Sequence, residues 1–233
     1  ITMAIIAVYG VLLLWVTPEG FGQGSLEPCC NLPGFIDRAL FPGHTYEHAP
    51  VPGFDPEGLV STVPAIASTM IGACAAQMLR VSAADTTGRW FLPGSGLLLA
   101  AAGAALGLII PINKNLWTPS YVLFMGGLAL TVLSAAHYIC DVKGFRLPAV
   151  PFLVLGRNAL PAYLLSSLAG KAMISFHVPD QGTPVTVKSF IFTHAFAPWF
   201  TPSAASLVYA AAFLLFWWVI MYILYRKRIF ISL

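Results

Sequence analysis

From Gly58 to Leu79 the chain runs without a single charged side chain, and Ile1 to Val16, Leu92 to Pro111, Tyr121 to Cys140 and Ala204 to Tyr225 repeat that pattern. About 20 apolar residues of helix cross the roughly 30 Å hydrocarbon core of a bilayer, where nothing but the chain itself satisfies backbone N–H and C=O groups. These runs lack the alternation of a barrel strand, so they predict helices. Composition agrees: 58% of residues are hydrophobic, 9% are charged, and the mean hydropathy is +0.80, whereas soluble domains carry about 25% charged residues. The expected fold class is all-α, a polytopic integral membrane bundle forming one membrane domain over residues 1–233.

Reading charges as boundaries gives six expected spans, at about 1–16, 59–79, 92–111, 121–140, 149–169 and 204–225, with an outward loop at 17–58. Ile1 to Val16 begins without Met, a basic n-region or a small-residue cleavage pattern, so it reads as the remnant of a helix rather than a signal peptide. The chain is therefore expected to be the C-terminal part of a longer protein whose N-terminal helices pack against it. Lys and Arg are retained beside the cytoplasmic ends of spans. Arg80, Arg89, Lys143, Arg146, Arg226, Lys227 and Arg228 fall on one side. Only Arg38, Lys114, Lys171 and Lys188 fall on the other, among Glu19, Glu27, Asp37, Glu47, Asp55, Glu57 and Asp180. The first side is read as cytoplasmic, which puts both ends of the chain in the cytoplasm. A bacterial inner membrane is the expected location, with lipid as one partner and a homo-oligomer as a possible assembly. The net charge of +3 comes with no basic stripe interleaved with aromatics, so no nucleic-acid partner is expected.

Cys74 and Cys140 fall within spans and read as small apolar fillers. Cys29 and Cys30 lie in the outward loop, but adjacent cysteines close a strained ring and are not expected to pair with each other. No CxxC or HExxH spacing occurs, so no metal site is expected. In the outward loop, Ile36 to Leu40 reads as a short interfacial turn of helix, and Pro42-Gly43 as a turn. His44 and His48 stand four apart: either two solvated histidines, or a pair handling protons or a sugar.

The densest polar site is Asp55-Pro56-Glu57-Gly58, at the head of the 59–79 run. An acid that accepts free amides, followed by proline, suits a helix start. The same carboxylates suit orientation of a hydroxyl or amine through charge-assisted bonds. Across the outward side, Pro111 to Thr118 holds two amides, Asn113 and Asn115, with Lys114 and Trp117. Trp117 reads as an interface anchor and Lys114 as a snorkelling charge, or together with Asn113 as contacts for a sugar-like ligand opposite Asp55 and Glu57. Asp55, Glu57, Asn113, Lys114 and Trp117 are the candidate substrate-binding residues.

Arg157-Asn158 interrupts an apolar run, and Arg at membrane depth costs about 2.5–3.5 kcal/mol on insertion scales. Arg157 either snorkels to cytoplasmic headgroups or meets the phosphates of a nucleotide-containing cosubstrate, for which its fork is suited. Asn158 and Tyr163 are placed to bond between helices. His137-Tyr138 reads as an interfacial pair. Ser61, Ala65, Ser68, Gly72 and Ala76 form a small-residue stripe, and Gly103 and Gly107 a second one; both suit close helix packing.

Several blocks occur together in order: Ile36-Asp37-Arg38, Tyr46, Asp55-Pro56-Glu57-Gly58, Pro111 to Trp117 followed by Ser120-Tyr121-Val122, Asp141-Val142-Lys143-Gly144, and Tyr225 to Phe230. Taken together they resemble the C-terminal region of the heparan-alpha-glucosaminide N-acetyltransferase family, which includes bacterial members labelled as N-acetylglucosamine-related transporters. The resemblance implies a membrane acyltransferase that takes acetyl from cytosolic acetyl-CoA to the amino group of a glucosamine-type sugar on the opposite face. It implies a catalytic histidine in an outward loop before Ile1, so no histidine here inherits that role. By analogy this region supplies the polar mouth at Asp55, Glu57, Asn113, Lys114 and Trp117, with Arg157 and Asn158 as candidate acetyl-CoA contacts. The alternative is a carrier for N-acetylglucosamine or a related amino sugar, with Pro64, Pro151 and Pro161 as candidate helix breaks.

Overall fold

The computed structural model describes residues 1–18, 20, 22–46, 49, 51–82, 90–180 and 182–231. Glu19, Glu47, His48 and Arg89, which enter the sequence reading above, lie outside the described residues. By its internal contacts the chain divides into two units, Ile1–Lys143 and Gly144–Leu233.

In the first unit, α1 (Thr2–Trp15) is apolar on every side, yet only Ile6, Tyr9, Gly10 and Leu13 are buried, at the three-to-four spacing of one helix face. The turn at 27–30 leads to α2 (Leu32–Leu40), and α3 (Leu59–Ser82) follows. α4 (Phe91–Leu106) and α5 (Pro119–His137) form an antiparallel hairpin, and a π-helical turn, Tyr138–Val142, prolongs α5. Thr118 starts α5 by accepting the Tyr121 amide at 3.4 Å, with Pro119 at the first helical position, where a missing N–H costs nothing.

Glycine is what lets α4 and α5 touch backbone to backbone. A Cβ on Gly103 would collide with the Phe124 backbone, one on Gly127 with the Ala100 backbone, and one on Gly96 with Thr131. The close packing expected of Gly103 is thus present, whereas Gly107 caps the end of α4 and faces Ala104 and Ile112. The stripe expected on α3 is displaced. Gly72 has open space beside it, and the buried positions are Ser61, Pro64, Ala67 and Ala75. Ala67 packs with Ile6, Val122 and Leu123, and Ala75 with Leu92 and Leu130. Small residues on both faces of α3 left its orientation open; the neighbouring helices decide it.

In the second unit, α6 (Val150–Arg157) and α7 (Ala159–Ser175) meet at Asn158 with a 67° bend. A two-stranded antiparallel hairpin follows, β1 (His177–Asp180) with β2 (Thr183–Thr186), pairing His177 with Thr186 and Asp180 with Thr183. Then come α8 (Val187–Ile191), a π-helical turn Phe192–Phe196, and α9 (Pro202–Arg226). Phe192 and Phe196 set their edges against the Tyr209 ring at 6.0 and 5.4 Å, and the Trp218 indole donates to the Pro151 carbonyl at 3.1 Å.

Among the described residues three helices are long and apolar enough to cross a membrane, Leu59–Arg80, Pro119–Val142 and Pro202–Arg226, with a fourth if the bent α6–α7 pair is one span. The expected count of six is therefore not reached. At 14 and 16 residues, α1 and α4 are shorter than the roughly 20 residues a straight crossing needs. Many large apolar side chains are turned outward: Leu98 is 71% exposed and Leu207 is 72% exposed. Such a surface suits lipid and not water, and the chain is that of an integral membrane protein.

Candidate functional site

Asn31 opens α2 by accepting the Gly34 amide at 2.8 Å, and its own amide group donates to the Glu27 carbonyl. Arg38, in the last turn of α2, reaches back to donate to the Cys29 carbonyl at 3.0 Å. These bonds fold the loop onto the helix from both ends. Cys29 and Cys30 are joined to each other as a disulfide, contrary to the expectation from their adjacency. The backbone here is a turn, with the Cys30 amide bonded to the Glu27 carbonyl at 3.0 Å, and not a strand that would send successive side chains to opposite faces.

The clamped helix presents Asp37, which is only 1% exposed. Its Oδ1 accepts the Leu59 amide at 3.1 Å, capping α3 from another element. Its Oδ2 is buried and has no hydrogen-bond partner among the described residues. Gly58 sits so close that a Cβ there would overlap the carboxylate. Burial pushes the Asp37 carboxyl above the usual range, and the Asp55 carboxylate adds to the rise; the Leu59 amide and the Arg38 guanidinium act against it.

Asp55 does not cap α3, as its position suggested. The helix begins at Leu59, and Asp55 Oδ1 accepts the Glu57 amide at 2.9 Å, closing a turn of its own. That turn delivers Gly58, whose carbonyl accepts from Ser61 Oγ at 2.9 Å and Thr62 Oγ1 at 3.1 Å. A pocket of about 280 Å³ results, with Asp37, Phe41, His44, Asp55, Glu57 and Thr62 among its walls. Glu57 is exposed and Asp55 half-buried, so acidity runs from the mouth to the buried Asp37. Among the described residues no Lys or Arg lines the pocket. Three carboxyls with one imidazole suit a ligand that brings hydrogen-bond donors or positive charge, and the volume is near the small end of ordinary ligand pockets.

Asn113, Lys114 and Trp117 do not line that pocket. Asn113 Oδ1 accepts the amides of Asn115 and Leu116 at 2.8 and 3.4 Å, so its oxygen is engaged within its own turn. Lys114 is exposed. Trp117 donates its indole N–H to Ser68 Oγ on α3 at 3.0 Å and meets Tyr121 edge-on at 5.4 Å. The fully buried Thr118 ties the loop together, accepting the Asn113 amide at 3.0 Å and lying 3.0 Å from the Pro111 carbonyl. Tyr9 donates to the Leu116 carbonyl at 2.6 Å, fastening the loop to α1.

Arg157 and Asn158 take different roles. Asn158 is fully buried; its Nδ2 donates to the Ile229 carbonyl at 3.2 Å and its Oδ1 accepts the Ile231 amide at 3.1 Å, so both ends of the amide hold the chain after α9. Arg157 is exposed, with its guanidinium 5.4 Å from the Phe230 ring centre. Tyr163 is 75% exposed, on the wall of an apolar cleft with Trp217. His137 pairs with Asp141 at 2.8 Å on an exposed helix end, and His194 stacks on Phe190 at 4.3 Å with Asp180 3.6 Å away. His44 Nδ1 lies 3.0 Å from the Pro42 carbonyl. Among the described residues no three His, Cys, Asp or Glu side chains are grouped to hold a metal.

Reading the sequence placed Asp37 among the outward charges, in a short turn of helix and in the Ile36-Asp37-Arg38 block of the resemblance, but gave it no site role. An acid inside a short helical segment, with a Gly-initiated helix downstream, carries no local mark of the contact between them.

No family model matches the chain. It is 28% identical to the human heparan-alpha-glucosaminide N-acetyltransferase over 233 residues, covering 93% of this chain and 32% of that protein. To the mouse enzyme of the same name it is 27% identical, covering 93% of this chain and 33% of the other. The chain thus spans about a third of the length of these curated relatives. The resemblance read from the ordered sequence blocks is borne out, and neither name describes a carrier.

Proposed function

We propose that this chain is part of a membrane N-acetyltransferase that transfers acetyl from acetyl-CoA to the amino group of a glucosamine-type sugar, and that the pocket at the head of α3 receives that sugar. The observation that carries the reading is the pocket itself: Asp37, Asp55 and Glu57 converge on one cavity that has no Lys or Arg among its described walls, in a chain similar to enzymes named for acetylating a glucosaminide. Charge asymmetry along the sequence supports an outward-facing pocket.

Acetyl-CoA would supply the acetyl group already activated as a thioester. Of the two residues expected to touch it, Asn158 is committed to Ile229 and Ile231. Arg157 is exposed, and its contact with Phe230 sets it beside the segment that follows Arg226-Lys227-Arg228. A group of guanidinium and ammonium charges fits the phosphates of coenzyme A, so this arginine is the contact retained. In the pocket, Asp55 and Glu57 would attract and orient the amine while the outer wall excludes competing anions.

The test is acetyl transfer by the whole membrane protein, with acetyl-CoA and glucosamine, comparing wild type with Asp55→Asn and Glu57→Gln. Loss of a charge-assisted contact of about 1.5–3 kcal/mol is expected to raise the KM for the amine by about tenfold or more with little change in that for acetyl-CoA. Unchanged constants in both variants would remove the sugar from this pocket. Uptake of labelled amino sugar into proteoliposomes lacking acetyl-CoA would favour a carrier instead.

A further inference from the structure

Asp37 stands apart from the other acids of the pocket. Glu57 is exposed to solvent, and Asp55 uses one oxygen to close its own turn. Asp37 is buried and is one of the residues that wall the cavity; it spends Oδ1 on the Leu59 amide and leaves Oδ2 without a donor among the described residues. Buried polar atoms in folded proteins are hydrogen-bonded with few exceptions, and each exception calls for a reason.

Among the described residues no cation fills this role. Arg38, the adjacent residue, turns its guanidinium to the Cys29 carbonyl. Gly58 packs directly against the carboxylate, and a side chain there would occupy the space of Oδ2. We infer that Asp37, through Oδ2, is the docking point for the primary amine of the pocket's ligand, with Asp55 and Glu57 gathering that amine at the mouth. This rests on reading the pocket as an amino-sugar site and adds which atom distinguishes an amino sugar from a neutral one. A buried carboxyl that is costly to ionise alone gains most from a positively charged partner, so the upward shift of the Asp37 pKa by burial is in keeping with an amine-selective floor. A site built around an unsatisfied acceptor discriminates strongly against analogues lacking the donor.

Equilibrium binding to the whole protein in detergent, without an acetyl donor, tests this with glucosamine, glucose and N-acetylglucosamine as probes. Wild type is expected to prefer glucosamine over both by about tenfold or more. Asp37→Asn keeps an oxygen for the Leu59 amide, and is expected to bring the preference to about twofold or less without a fall in melting temperature. Gly58→Ala leaves every charge in place but displaces the carboxylate, and is expected to lose the preference too. Carbodiimide coupling in wild type needs no variant: the carboxyl is activated as an O-acylisourea, the amine displaces the urea, and an amide forms on the carboxyl it contacts. Mass mapping should place glucosamine on Asp37. Coupling at Asp55 and Glu57 alone, or a preference kept in Asp37→Asn and Gly58→Ala but lost in Glu57→Gln, would overturn the role of Asp37 and leave the pocket reading standing. A wild type that binds glucosamine no better than glucose overturns both.

Discussion

Asp37 and Leu59 are 22 residues apart in the chain, yet the carboxylate of one accepts the backbone amide of the other at 3.1 Å. The first free amide of α3 is therefore satisfied by α2 and not by the residues just before the helix. The start of a membrane helix, the position of a buried acid and the floor of the pocket are one structural fact. Anything that moves α2 moves all three.

Stability should depend on pH through this residue. Asp37 is raised above the ordinary aspartate range, by burial first and by Asp55 second, against the opposing Leu59 amide and Arg38. Between the ordinary value and the raised one, the folded state binds more protons than the unfolded state, so stability falls as pH rises through that window. Its contribution is fully present below the ordinary carboxylate range, about pH 4, and is lost as the folded group ionises. Melting curves in detergent from about pH 4 to 8 should show wild type losing stability relative to Asp37→Asn as pH rises. Parallel pH profiles for the two proteins would refute the assignment.

The α4–α5 contact should be intolerant of a single methyl group. At Gly103 and Gly127 the obstructing atoms belong to the Phe124 and Ala100 backbones, which have no rotamer to change. Alanine at either position is expected to force the helices apart at a cost of about 1–3 kcal/mol, despite alanine's better helix propensity. At Gly94, where nothing lies within 4 Å, the same change should be neutral or slightly stabilising. Equal effects at Gly94 and Gly127, measured by unfolding in mixed detergent, would contradict this packing.

What the sequence made legible is what depends on local composition. The absence of charge from Gly58 to Leu79 was enough to place α3, and the apolar run from Tyr121 placed α5 to within two residues of its start at Pro119. Gly103 announced a close helix approach. Asp37 was illegible because its partners, Leu59 and Gly58, come from another element. The hairpin at His177–Thr186 was missed because its four-residue strands pair Pro179 with Pro184, and proline ordinarily argues against a strand. The face of α3 was misjudged by a residue because small side chains occur on several of its sides. Asn113 was read as open to a ligand, when its oxygen closes a turn within the loop.

Asn158 should act on the end of the chain rather than on a ligand. Its amide holds Ile229 and Ile231 from the break between α6 and α7, with no exposed surface. Replacement by leucine removes both bonds and leaves the Ile231 amide and Ile229 carbonyl to find water, at about 1–3 kcal/mol for an unsatisfied buried group. The expected outcome is faster proteolytic trimming after Arg226 in Asn158→Leu than in wild type, with α9 itself retained. Trimming at the wild-type rate would show that the C-terminal segment is held by other contacts.

Trp117 and Ser68 supply a bond whose energy is separable. Trp117 is one of two described non-glycine residues with positive φ, at 51°, a left-handed conformation that costs about 1–2 kcal/mol. The indole bond to Ser68 and the edge contact with Tyr121 hold it there. Trp117→Phe keeps an aromatic ring and removes the donor; Ser68→Ala removes the acceptor. Each is expected to cost about 0.5–1.5 kcal/mol, and the double variant should cost less than their sum by about the value of that bond. If the two effects add fully, the indole is held by the apolar contacts around Ile6 and Ala67, and the bond to Ser68 contributes nothing to the left-handed turn.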